Sequence, residues 1–73
     1  MAGLPTLKGS EVISALKRAG FVEARTSGSH HILKKNPHSV TVPVHGSKPI
    51  KKGTLANIIK QAGMTVDEFL KYL

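Results

Sequence analysis

An α+β fold is predicted for this chain, and three observations predict it. Apolar residues recur at helical spacing near both ends of the sequence, and valines alternate with other residues in its middle. The connections between the middle segments are too short for parallel crossovers, so any strands there must pair antiparallel. The predicted order is an α-β-β-β-α core with a short extra C-terminal helix. At 73 residues the chain has room for a single domain over 1–73. A domain that size buries only about 60% of its unfolded surface.

The elements follow in order. Val12, Ile13, Leu16 and Ala19 set a first helix over about residues 10–19. Ser10 can cap its free amides, Lys17 and Arg18 suit the negative end of its dipole, and Gly20 suits a left-handed stop. Three extended segments come next, at 21–26, 29–34 and 39–45, separated by Ser27-Gly28 and by Lys35-Asn36-Pro37-His38, both turn chemistry. In the third, Val40, Val42 and Val44 alternate with Thr41, Pro43 and His45, which puts the valines on one buried face. Pro43 has no amide to donate, so this strand belongs at an edge or ends near it. A three-stranded antiparallel meander is expected.

Residues 46–52 read as a basic loop. Leu55, Ile58, Ile59 and Ala62, with Gly63 behind them, then mark a second long helix over 54–62, capped by Thr54 or Gly53. The capping-box pattern Thr65-Val66-Asp67-Glu68 opens a last short helix anchored by Phe69, Leu70 and Leu73. Both long helices can cover one face of the sheet and leave the other face and the loops to a ligand.

Eleven Lys and Arg against 4 Asp and Glu leave a net charge of +7, a field that favours polyanions. Nucleic acid is the expected partner. An anionic membrane fits less well, because the basic residues are spread along the chain and form no single amphipathic stripe. There is no cysteine, which removes disulfides and thiolate-held zinc and suits a reducing cytoplasm. The first ten residues lack the basic flank and apolar stretch of a signal peptide, and no run approaches the roughly 20 apolar residues of a membrane span. A soluble cytoplasmic protein is expected. The only aromatic residues are Phe21, Phe69 and Tyr72, too few for a base-stacking platform.

His30, His31, His38 and His45 are the candidate chemical groups. A zinc site would accept imidazoles. Adjacent histidines on a strand point to opposite faces, however, and no carboxylate lies near them in sequence to serve as a ligand or orienter. No metal and no cofactor are therefore expected. Gly28-Ser29 lets the backbone approach a phosphate closely, and His30 directly after it stands at the start of a strand. A neutral imidazole, with an ordinary pKa near 6.5, can take a proton from a ribose 2′-hydroxyl and return one to a leaving oxygen. Lys34, Lys35, Lys48, Lys51 and Lys52 are candidates to meet the charge that builds on the phosphate. The alternative role for His30 is a polar residue on a solvated strand face. If Leu33 faces the core, His31 shares its side, and His30 points out with Ile32 and Lys34. His45 can orient a phosphate, assist as an acid, or end the third strand with a hydrogen bond. His38 reads as a solvated turn residue, and Lys51 and Lys52 as a solvated loop or a phosphate site beside the start of the second long helix.

Gly28-Ser29-His30-His31, then Val40-Thr41-Val42-Pro43 with His45 just after, then Lys52-Gly53-Thr54-Leu55 leading to Ile59-Lys60-Gln61-Ala62-Gly63, closely resemble the HicA (YcfA-like) toxin family in order and spacing. The resemblance covers nearly the whole chain from Ser10 onward. It implies a fold like that of double-stranded-RNA-binding domains. It further implies a ribosome-independent endoribonuclease, an mRNA interferase, silenced by a cognate HicB-type antitoxin. The active histidine of the family carries over to His30 and the glycine of its motif to Gly28. Ser29, Lys34, Lys35, His45, Lys48, Lys51 and Lys52 complete the expected RNA contacts. One departure is Val44, where family members commonly carry a basic residue. The rival reading is a non-catalytic double-stranded-RNA-binding module, for which an imidazole after Gly-Ser would serve no purpose.

Overall fold

A computed structural model describes residues 3–73; Met1 and Ala2, the start of the domain expected over 1–73, lie outside the described residues. The elements are α1 (Gly9–Arg18), β1 (Val22–Ser27), β2 (His30–Lys35), β3 (His38–Pro43), α2 (Lys52–Gln61) and α3 (Val66–Leu70). This is the α+β order expected, with the short helix last.

α1 begins earlier than Ser10, which is its second residue and exposed. Lys8 is the cap: its backbone N–H donates to the Glu11 carboxylate at 2.9 Å. The start is set from outside the helix. Leu7 is buried and its carbonyl accepts the Ile50 N–H at 2.7 Å, which holds the entering chain against residues 49–50. At the other end Gly20, at φ 102, closes the helix as expected. The Gly20 N–H reaches the Lys17 carbonyl, the Phe21 N–H reaches that of Leu16, and Phe21 is thereby buried. Phe21 thus ends the helix and does not open β1, which starts one residue later.

The sheet order is β1-β2-β3 with both pairs antiparallel, so β3 is the edge strand that Pro43 demanded. It ends at Pro43, two residues short of the expected boundary. The Val44 N–H leaves the ladder for the Ser29 carbonyl, and His45 enters a turn closed by the Lys48 N–H. Val40 and Val42 are fully buried and Val44 is half-buried, packed on the same core. The extra residue in the β1–β2 pairing lies between Glu23 and Arg25.

α2 starts at Lys52, with Lys51 as its cap, and so includes Gly53 and Thr54, which were expected to cap it. The physical reason is again the docking of Ile50, whose buried side chain and bond to Leu7 bring the chain to the helix start sooner than local capping chemistry requires. Leu55, Ile58, Ile59 and Ala62 are buried as their spacing required. Gly63, at φ 72, ends the helix, and the His38 ring lies directly over it, so His38 is packed on one side and not merely a solvated turn residue. The Thr65–Glu68 capping box is formed in both directions. Phe69 is fully buried and Leu70 half-buried, but Leu73 is 48% exposed and is no anchor; Arg18 instead holds the C-terminal turn by donating to the Tyr72 carbonyl.

α1 and α2 pack on one face of the sheet, mainly against β3, and the opposite face is open. β1 contributes no buried residue, and its Val22 is 68% exposed. Among the described residues no helix is long and apolar enough to cross a membrane.

Candidate nucleic-acid interface

The β1–β2 hairpin turns through Gly28-Ser29. Gly28 is at φ 58 and Ser29 has no positive φ, the pattern of a two-residue turn with glycine at its first central position. The Ser29 carbonyl accepts the Val44 N–H at 2.7 Å, which ties the tip of this hairpin to the end of β3. His30 is exposed on the open face, between its cross-strand partners Ser27 and Pro43. The next rows on that face are Arg25, Ile32 and Thr41, then Val22, Lys34 and Ser39. Lys34 shares the face of His30, but four residues along a strand place it about 13 Å away, the distance of a different phosphate.

Beside Pro43 a groove of about 260 Å³ is lined by Pro43, His45, Lys48, Pro49, Ile50, Lys51 and Thr54. The structure therefore brings His45, Lys48 and Lys51 together next to the strand partner of His30. Among the described residues no acidic side chain lines this groove, and the first turn of α2 carries none to offset the positive end of that helix. Lys52 is exposed as the first residue of α2 and does not line the groove. Lys35 goes elsewhere: its Nζ donates to the Ala19 carbonyl at 2.6 Å, which makes it a cap for α1 on the helix side of the sheet. Val44, the departure from the family pattern, turns inward with its Cγ2 close against Gly9.

His31 lies on the helix side with Leu33, as alternation required. Its Nδ1 donates to the Glu23 carboxylate at 2.6 Å. Thr26 donates to the same oxygen at 2.7 Å, and the Lys17 ammonium is 3.3 Å from the other. The hydrogen bond from His31, then that from Thr26, with help from Lys17, lowers the Glu23 pKa from 4.5 to about 2. No carboxylate was expected to reach these histidines. Glu23 does so because the hairpin folds back and the extra residue in β1 turns its side chain toward His31. Among the described residues no three His, Cys, Asp or Glu side chains converge as a metal site. Arg25, on the open face beside Ile32, belonged to no motif, and its one signal was strand alternation; Thr54 lines the groove although within Lys52-Gly53-Thr54-Leu55 it was read as a helix cap.

Fold and site together define a small basic α+β domain that displays one exposed imidazole at a Gly-Ser hairpin beside clustered lysines. The family described as the HicA toxin of bacterial toxin-antitoxin matches residues 9–64. The chain belongs to that family: it is the toxin of a toxin–antitoxin system, with an antitoxin as its partner. α3 lies beyond the matched residues. A comparison with curated proteins returns no match.

Proposed function

We propose that this toxin is a metal-independent endoribonuclease that cleaves mRNA, with His30 as its catalytic residue. The observation that carries the reading is the placement of His30, exposed at the Gly28-Ser29 turn and one strand from the groove of His45, Lys48 and Lys51. His30 takes the proton from a ribose 2′-hydroxyl as that oxygen attacks the adjacent phosphorus. The bond from phosphorus to the 5′-oxygen breaks, and that oxygen receives a proton from the imidazole. Lys48 and Lys51 meet the negative charge gathered on the phosphoryl oxygens, and the backbone amides at the Gly28-Ser29 turn and the α2 terminus add donors. Lys34, Arg25 and Lys52 bind flanking phosphates. mRNA as substrate places the activity in the cytoplasm.

The test is cleavage of a long RNA in EDTA by the parent chain and by His30→Ala. The parent should give fragments, and the variant should bind RNA with little loss but not cut, since phosphate charge dominates affinity. Cutting at the parent rate by His30→Ala, or dependence on an added metal ion, rules the mechanism out. Binding without any cleavage by the parent would establish the non-catalytic RNA module instead.

The antitoxin is of the HicB type and acidic where it meets this chain, because the lysine-rich surface that draws RNA also steers a negative protein. It covers His30, so inhibition is competitive. Hydrogen exchange of the complex should show protection centred on residues 28–35 and 45–52. RNA that stays bound while cleavage is silenced excludes occlusion.

A further inference from the structure

We propose that His31 is a positioning residue, clamping through Glu23 the hairpin that carries His30; the inference rests on His30 as the cutting group. β1 brings no buried residue to the core and pairs along one edge only, with β2, so its backbone ladder and its side-chain contacts are what hold it. Among the described residues, the side-chain bonds that attach β1 to other elements all lie in one cluster: the Glu23 carboxylate meets His31 on β2 and Lys17 on α1, and the Thr26 hydroxyl, which donates to Glu23, also lies 3.4 Å from His31 Nδ1.

The local backbone is shaped for this contact. Glu23 and Thr26 are three residues apart, a spacing that puts side chains on opposite faces of a regular strand. The extra residue between Glu23 and Arg25 restores them to one face, opposite Leu33 and His31. Irregularities of this kind serve to re-aim side chains. His31 then receives both from the helix side, while the adjoining His30 projects from the open side. A tether on the underside therefore fixes the peptide from which the reacting imidazole extends. Lys17 completes the cluster from α1, 3.3 Å from Glu23, and balances the carboxylate, while the carboxylate and the Thr26 hydroxyl meet His31 Nδ1.

Release of this clamp leaves the groove of His45, Lys48 and Lys51 intact, so RNA still binds. Misplacement of a reacting group by about 1 Å costs up to ~100-fold in rate. A loosened hairpin retains the right geometry part of the time, and the expected loss is about tenfold.

The experiment compares the full chain with His31→Ala, Glu23→Ala and His31→Asn, whose amide N–H can donate to Glu23 in place of Nδ1. Single-turnover cleavage of a long RNA in EDTA is measured across RNA concentration, together with amide exchange along the chain. His31→Ala and Glu23→Ala should cut about tenfold more slowly at saturating RNA, with the half-saturating concentration unchanged. Exchange should quicken at residues 27–31 and not in α1 or α2, and His31→Asn should recover both rate and protection. The proposal is overturned by a parent-like rate in His31→Ala, by exchange that quickens uniformly through the core, or by a folded His31→Asn as slow as His31→Ala. Should His30→Ala cut as fast as the parent, the role of His30 falls, while the clamp itself is still decided by exchange at residues 27–31.

Discussion

Gly9→Ala should destabilise the domain, although alanine is the better helix former. A methyl group on Gly9 would lie 2.7 Å from the Pro43 carbonyl oxygen, 2.8 Å from Val44 Cγ2 and 3.1 Å from Val44 Cα. Two of these three neighbours are backbone. They can retreat only by moving the end of β3, which is tied to the β1–β2 hairpin through the bond from the Val44 N–H to the Ser29 carbonyl. Helix propensity favours alanine by at most about 1 kcal/mol, and less at a first helical residue. Overpacking of this kind costs about 1–3 kcal/mol, so the steric effect wins by roughly 1–2 kcal/mol. In a domain this small each kcal/mol moves Tm by about 4–8 °C, giving a fall of roughly 5–15 °C. Gly53→Ala is the matched control: it sits near the start of α2 without a positive φ, and a methyl there meets nothing within 4 Å. That substitution should raise stability by up to about 1 kcal/mol. Thermal and urea melts of both variants beside the parent read the two signs. A Gly9→Ala protein as stable as the parent would refute the close-approach argument.

Thr65→Ala removes the hydroxyl that accepts the Glu68 N–H at 3.1 Å, and should cost about 1 kcal/mol in a urea melt; an unchanged midpoint would show that α3 stands without its cap. Acid should destabilise the fold early. The Glu23 carboxyl is lowered from 4.5 to about 2, chiefly by His31, and that of Glu68 is lowered by the backbone and hydroxyl of Thr65. Both groups contribute stability that is present above about pH 4.5 and lost as pH falls through their lowered pKa values, for Glu23 about 2, and Glu23→Gln should flatten the fall of Tm between pH 5 and pH 3. RNA affinity should drop steeply with added salt as displaced counterions are regained, and a flat response would argue against a phosphate-tracking surface.

Much of the fold was legible because the relevant signals are local. The alternation at Val40 and Val42 decided which face of β3 is buried, and Gly20 and Gly63 stop their helices by a conformation that a side chain resists. The side of the sheet that His30 occupies followed from Leu33 alone. The rest depends on contacts distant in sequence. Capping chemistry pointed to Ser10 and Thr54, but the helix starts are governed by residues 7–8 meeting 49–50. The Glu23–His31 pair was hidden because one extra residue in β1 changes which side chains share a face. Lys35 looked like a phosphate ligand and is occupied by the Ala19 carbonyl, a distinction that charge counting does not make.

The exposure of β1 has an evolutionary consequence. A strand that supplies nothing to the core can change sequence at little thermodynamic risk, since surface substitutions usually stay within about 0.5 kcal/mol. Outside Glu23, Thr26 and the basic Arg25, its positions carry little packing constraint, and Val22 lies on the same face as His30. A toxin and its antitoxin must keep recognising each other while escaping the antitoxins of unrelated systems. β1 gives this domain a surface beside His30 on which such recognition can be rewritten while the core stays as it is.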